Sequence, residues 1–244
     1  MTTSDRSEPE LHQIRLAEFE LPDFHPEAPG TDRVYGFVVR ERNACILVDT
    51  GVGTGSALID HLYKPRRIEL ADALAEVGVS VGEVTAIVNT HLHFDHCGNN
   101  RLFPAVPIFV QAAELEAARQ PHYTVPKWVD FEGANYVAVR GAYSLSENVE
   151  LVATPGHTPG HQSLLVRGEG RTDLIVGQAA YTAAEFQLFC QRRDERGASA
   201  LSRCIQSNAT WSADAYVESL AALEKIHPDR AFFSHDPTPW QREV

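Results

Sequence analysis

Residues 90–99 read THLHFDHCGN, and this stretch follows a short apolar run that we predict to be a buried strand. Side chains that commonly bind metals are concentrated in it. His91 and His93 lie two residues apart and can converge on one ion, while Asp95 and His96 face a second position. This mixture of imidazole and carboxylate favours zinc, iron or manganese over calcium or a thiolate-bound metal. The stretch therefore predicts a metal centre in a loop at the end of a strand.

Two ions need more ligands than this loop offers, and histidines further along the chain can supply them. His157 in TPGHTPGH and His235 in FFSHDP each follow a strand-like run. His161, four residues after His157, is interpreted as a structural residue behind the ligands. The other histidines considered have no ligand context, and we assign them to solvent or helix caps: His12, His25, His61 and His227.

The composition is that of a globular protein of 244 residues, with 43% hydrophobic and 22% charged residues. The formal net charge of −12 argues against nucleic acid and anionic membrane as partners. The first residues lack the basic and apolar regions of an export signal, so we expect a cytoplasmic protein. The cysteines form no C-x-x-C pair, and we expect reduced thiols at Cys45, Cys97, Cys190 and Cys204.

Alternating strand and helix patterns predict an α/β protein. Because the candidate ligands extend from residue 91 to residue 235, we expect one domain over residues 1–244. The aromatic, proline-bearing stretch 121–135 is expected to be a loop or a lid. The predicted strands are 13–21, 34–39, 44–48, 84–89, 107–110, three runs ending near 153, 166 and 177, and 231–233, and the predicted helices are 56–63, 68–77, 112–119 and 214–226.

Five motifs together resemble the signatures of metallo-β-lactamase fold hydrolases. They are, in chain order, ILVDTG (46–51), THLHFDHCGN (90–99), TPGHTPGHQSLL (154–165), DLIVGQAAYT (173–182) and FFSHD (232–236). Within that superfamily they are most similar to the N-acyl-homoserine lactonases, because Tyr181 follows the fourth motif where those enzymes place a catalytic tyrosine. The resemblance implies a four-layer αβ/βα sandwich with two divalent metal ions at one edge of its sheets.

The resemblance also implies a role for each site residue. Metal 1 would be held by His91, His93 and His157, and metal 2 by Asp95, His96 and His235. Asp49 would be buried behind them and orient the ligand loop. A hydroxide formed on the metals, which are zinc or else iron, manganese or cobalt, would attack the ester carbonyl of a lactone. Tyr181 would polarise that carbonyl, and Asp95 would pass a proton to the leaving alkoxide.

Gln178 departs from the family pattern, which has at this position an aspartate that bridges both metals. A neutral amide can ligate one cation, but it does little to offset the repulsion between two. Three outcomes stay open: a dinuclear site with Gln178 as a weak ligand or hydrogen-bond partner, a single or altered metal, and a catalytically silent relative that binds a lactone.

The expected substrate is a small lactone, such as the N-acyl-homoserine lactones whose hydrolysis quenches quorum sensing. Candidates for an apolar acyl pocket are the aromatic residues Tyr123, Trp128, Phe131, Phe186 and Phe189. The fold alone also allows a thioester, a β-lactam or another small ester or amide. We expect a monomer or a homodimer.

Overall fold

The structure is a computed structural model that describes residues 8–25, 28–192 and 212–242, and its framework is two β-sheets packed face to face. The first sheet has the order β4-β1-β2-β3-β5-β6-β7 and the second β13-β12-β11-β10-β9-β8. The strands of the first sheet are β1 Glu10–Glu20, β2 Thr31–Glu41, β3 Ala44–Val48, β4 Arg66–Arg67, β5 Ala86–Val88, β6 Pro107–Gln111 and β7 Asn135–Val139. Those of the second are β8 Tyr143–Ser144, β9 Val149–Ala153, β10 Gln162–Gly168, β11 Arg171–Gly177, β12 Arg230–Phe233 and β13 Trp240–Gln241.

Helices cover the outer face of each sheet. They are α1 Ala57–Tyr63, α2 Leu70–Ala75, α3 Ala112–Ala118, α4 Pro126–Val129, α5 Ala183–Arg192 and α6 Ala213–Lys225, with 3₁₀ turns at Val81–Glu83 and Asn100–Leu102. The first four helices share a core with the first sheet, and α5 and α6 share one with the second. No helix among the described residues is long and apolar enough to cross a membrane.

Three separate hydrophobic clusters show that the molecule has four layers. Successive side chains of a strand point to opposite faces, so a strand between two layers contributes to two clusters. On β10, Leu164 packs between the sheets, whereas Leu165 packs against the α5 and α6 layer. Ile175 and Val176 on β11 divide in the same way. The predicted αβ/βα sandwich is therefore confirmed.

Most predicted elements are present with shifted ends, and some parts of the chain differ from the expectation. Strand β7, helix α5 and the two-residue strands β4, β8 and β13 were not predicted. The stretch 121–135 is not an open lid, because helix α4 within it buries Trp128 completely in the core of the first layer. Cys45 and Cys97 are buried free thiols as expected, Cys190 is half-buried on α5, and Cys204 lies outside the described residues.

The sheet topology brings the predicted site loops to one edge of the sandwich. Strand β12 is parallel to β11, and β9 runs the same way because β10 is antiparallel to both of its neighbours. The loops after β9, β11 and β12 therefore leave the same edge of the second sheet. The loop after β5, which carries residues 90–99, approaches the loop after β9, as the histidine contacts described next show.

Candidate metal centre

The first ligand group consists of His91, His93 and His157, whose coordinating nitrogens all lie within 4.8 Å of one another. Nε2 of His157 is 3.2 Å from Nε2 of His91 and 3.2 Å from Nδ1 of His93. Zn–N bonds of about 2.0–2.1 Å place the nitrogens of a tetrahedral site roughly 3.3 Å apart. The three imidazoles therefore have the separation that one tetrahedral cation requires.

The second ligand group consists of Asp95, His96 and His235, and it meets the same distance criterion. Oδ2 of Asp95 is 3.4 Å from Nε2 of His96 and 3.7 Å from Nε2 of His235. Both Nε2 atoms are buried and have no hydrogen-bond partner in the described structure. A buried polar atom without a partner is costly unless something else satisfies it, and a bound cation would satisfy both of these atoms. The residues present fit two divalent cations.

Asp49 fixes the ligand loop from behind. Its carboxylate accepts hydrogen bonds from the Thr90 backbone N at 2.8 Å and the Thr90 hydroxyl at 2.7 Å, and Oδ2 lies 2.8 Å from Nδ1 of His96. A histidine that donates from Nδ1 presents the lone pair of Nε2 to a metal. Gly98 lets this loop pack closely against residues 51–53, since a Cβ at this position would clash with the Gly53 nitrogen.

His161 lies behind the first ligand group with both ring nitrogens engaged. Nδ1 is 2.8 Å from the Thr154 hydroxyl, and Nε2 accepts a hydrogen bond from the Gln178 backbone N at 3.0 Å. Its ring therefore has no nitrogen left to bind a cation.

Gln178 and Tyr181 meet beside the two ligand groups. Nε2 of Gln178 donates to the Tyr181 hydroxyl at 2.6 Å, and the Tyr181 ring stacks on His235 at 5.2 Å between centroids. The Gln178 side chain therefore engages the tyrosine through its nitrogen. A carboxylate at this position could not donate that hydrogen bond.

One residue that sequence analysis missed is Glu114, which is fully buried on α3. Its carboxylate accepts hydrogen bonds from Leu92 N at 2.8 Å, from the Thr158 hydroxyl at 2.6 Å, from Gly160 N at 3.2 Å and from the Tyr123 hydroxyl. Leu92 lies between two ligands of the first group, and Thr158 directly follows the third. Glu114 therefore joins the two loops that form this group.

Burial keeps the first ligand group neutral. Removal from water, together with the neighbouring imidazoles, lowers the pKa of His91 and of His157 well below the usual range for histidine. Burial also lowers the pKa of His93, to about 4. Neutral imidazole is the form that binds a metal, so these ligands are ready at neutral pH.

Carboxylates favour the protonated form of the two histidines in the second ligand group. Burial lowers the pKa of His96, but Asp95 and Asp49 outweigh burial and raise it to about 10. For His235, the charge of Asp32 likewise outweighs burial, and the pKa is raised. Burial raises the pKa of Asp95, but the nearby imidazoles dominate and hold it below its usual range. A metal entering this group must therefore displace protons.

Both ligand groups open into a cavity of about 230 Å³. One wall is aromatic, because Phe94 packs against Tyr63 at 4.4 Å and against Phe19 at 5.7 Å between ring centroids. Apart from Leu21, the other lining residues have polar side chains. They are His25, Asp32, His93, Asp95, His122, Tyr123, His157, Gln178, Tyr181 and His235. His25, which we had assigned to solvent or a cap, is thus a cavity residue, and His122 joins it.

Of the five aromatic residues expected to line a pocket, Tyr123 is the one that lines this cavity. Phe186 and Phe189 lie three residues apart on α5 and face the core of the second layer, because residues at this spacing share one helix face. Trp128 is buried in the first core, and Phe131 packs against that core. We assign these four residues to packing.

Known proteins resemble this chain in sequence. The profile of the Metallo-beta-lactamase superfamily matches residues 29–235. An N-acyl homoserine lactonase of a Bacillus species is 32% identical over 167 residues, which are 63% of this chain and 66% of that protein, just under two thirds of its length. The N-acyl homoserine lactonase AttM of Agrobacterium fabrum is 29% identical over 185 residues, 69% of this chain and 64% of that protein.

Solved structures resemble it in fold. A quorum-quenching N-acyl homoserine lactone hydrolase superposes with a TM-score of 0.74 at 26% identity, covering 95% of this chain and 94% of that chain. The dizinc quorum-quenching lactonase AidC superposes with a TM-score of 0.71 at 18% identity, covering 100% and 93%, which supports the fold alone. By its sequence profile and its fold, the chain belongs to the metallo-beta-lactamase superfamily.

Proposed function

We propose that this protein is a metal-dependent hydrolase that opens the ring of a small lactone, with N-acyl-homoserine lactones as the expected class. The observation that carries the proposal is the convergence of two ligand groups and Tyr181 on one cavity. The similarity to N-acyl homoserine lactonases supports the same substrate class. Because ligands come from the edges of both sheets, we also propose that the chain works as one domain.

Two bound divalent cations, with zinc as the expected metal, supply water activation at neutral pH and Lewis acidity toward an ester carbonyl. His91, His93 and His157 would hold one cation, and Asp95, His96 and His235 the other. The chain itself then has to place the lactone, stabilise the charge that develops on the carbonyl oxygen and return a proton to the leaving oxygen.

Tyr181 would donate a hydrogen bond to the carbonyl oxygen. Its hydroxyl oxygen accepts from Gln178, and a hydroxyl that accepts a hydrogen bond is a better donor in turn. Stacking on His235 holds the ring beside the second ligand group. A donor aimed at the developing negative charge stabilises the transition state more than the ground state.

Asp95 would return the proton to the leaving oxygen, since its carboxylate lines the cavity. The low pKa of Asp95 keeps it ionised at neutral pH and able to accept a proton before passing it on. The acyl part of the substrate would lie against the aromatic wall formed by Phe19, Tyr63 and Phe94. This wall takes the place of the pocket predicted from sequence.

Gln178 favours a second candidate function, a relative that binds a lactone or a related ester without hydrolysing it. An amide brings no charge to the cation pair, so the second cation is held by one carboxylate ligand, Asp95.

Substrate hydrolysis by the zinc-loaded protein tests both candidates. An N-acyl-homoserine lactone, a thioester and a β-lactam are assayed side by side, with Tyr181→Phe and the matched variant Tyr143→Phe, whose ring is exposed. We expect the lactone to be hydrolysed best, and Tyr181→Phe to lower kcat about 100-fold. No turnover of the lactone by protein that holds two zinc ions would refute the proposal and favour the silent relative.

A further inference from the structure

His235 is supported on its outer side by the start of strand β2. Nδ1 of His235 lies 2.8 Å from the Arg33 carbonyl oxygen and 3.2 Å from Oδ2 of Asp32. The other carboxylate oxygen of Asp32 accepts a hydrogen bond from the Arg33 backbone N at 2.8 Å, which holds the carboxylate toward the imidazole. The Arg33 side chain pairs with Glu18, at 3.2 Å. The negative charge of Asp32 is therefore directed at His235.

The two histidines of the second ligand group each have a carboxylate close to Nδ1. His96 has Asp49 behind Nδ1, His235 has Asp32 behind Nδ1, and both present Nε2 toward Asp95. The first group differs, since Nδ1 of His91 faces the Thr90 hydroxyl at 3.1 Å. A carboxylate behind a ligating histidine raises the basicity of the ligand and fixes its orientation. Asp49 and Asp32 thus lie behind the ligand group that lacks the negative charge an aspartate at position 178 would bring.

We propose that Asp32 is a positioning residue for the second cation and supplies, through His235, part of the negative charge that Gln178 does not. In this scheme Asp32 does not touch the cation, although its side chain lines the cavity, and it acts by making His235 a stronger ligand. The inference rests on the metal centre of the proposed function and not on the identity of the lactone. Asp32 has a side chain that is 25% exposed, so its replacement leaves the core intact.

Zinc affinity tests this inference without reference to activity. Metal-free protein is titrated with zinc against a chromophoric chelator, for the wild type, Asp32→Asn, Asp32→Asn combined with Gln178→Asp, and Asp130→Asn. Asparagine keeps the shape and an acceptor oxygen for Nδ1, so Asp32→Asn removes only the charge. Asp130→Asn is the matched control, because it removes the same charge from a side chain that is 58% exposed and outside the cavity.

We expect Asp32→Asn to weaken the second zinc about 10- to 100-fold and to leave the first unchanged. Adding Gln178→Asp should recover affinity for the second zinc. Equal second-site affinity in the wild type and Asp32→Asn, an equal loss at both sites, an equal loss in Asp130→Asn, or no recovery with Gln178→Asp would each overturn the inference. A wild-type protein that binds fewer than two zinc ions would overturn the metal centre itself, and the inference with it.

Discussion

Replacing Glu114 by glutamine should unfold the protein at a lower temperature and weaken the first ligand group. Glu114 is fully buried and accepts hydrogen bonds from four donors, namely Leu92 N, the hydroxyls of Tyr123 and Thr158, and Gly160 N. Glutamine keeps one acceptor oxygen and places an NH₂ group where the other oxygen was. The backbone N of Leu92 or of Gly160 then faces a donor, depending on which way the amide lies.

The magnitude follows from the hydrogen bonds that are lost. About two bonds to a charged acceptor, each contributing roughly 1.5–3 kcal/mol, are partly offset because a buried charge is removed. The net loss is about 3 kcal/mol, and a chain of this length loses roughly 2–4 °C in Tm for each kcal/mol. We therefore expect a fall of about 6–12 °C.

Calorimetry of the metal-free protein measures this, with Glu116→Gln as the matched control. Glu116 lies on the same helix, α3, but its side chain is exposed. Zinc titration of the same variants should show weaker binding at the first group in Glu114→Gln, because the carboxylate joins the two loops that supply its histidines. A Tm for Glu114→Gln within about 1 °C of that for Glu116→Gln would refute the reasoning.

Three further predictions concern the ligands. His93→Ala should abolish lactone hydrolysis and zinc binding at the first group, whereas His161→Ala should lower stability and retain the metal. Equal metal loss in the two variants, measured by elemental analysis, would contradict the assignment of His93 as a ligand and His161 as a structural residue. Gln178→Asp should tighten the second zinc in chelator competition, because it adds a negative charge, and unchanged affinity would mean that residue 178 does not face the cations. Lowering the pH from about 8 to about 6 should weaken zinc binding at the second group more than at the first. Protons compete with zinc for His96, whose pKa is raised to about 10, whereas burial lowers the pKa of His93 to about 4. Equal pH dependence of the two binding constants would contradict this.

The parts predicted from sequence are those whose signal is local. Residues 90–99 hold four candidate ligands in one loop, so their chemistry is visible without the fold. The same is true of His157 and His235 at the ends of strand-like runs. The four layers followed from the family resemblance of the five motifs.

The parts that were missed depend on long-range contacts. Glu114 stands in the sequence AAELEAA, where glutamates are typical of a solvent-facing helix side, and only the packing of the loops after β5 and β9 makes it an internal acceptor. Asp32 is the second residue of a strand, and its role depends on His235, which is 203 residues further along the chain. Phe186 and Phe189 were misplaced because an aromatic residue packs a core and lines a pocket with the same side chain.

The most direct test of the proposed activity is lactone hydrolysis as a function of bound zinc. Protein stripped with a chelator and then freed of it is titrated with zinc, while ring opening of an N-acyl-homoserine lactone is followed through the proton that it releases. Metal-free protein should be inactive, and the rate should rise as the two ligand groups fill. Full hydrolysis by the metal-free protein would contradict a metal-dependent mechanism.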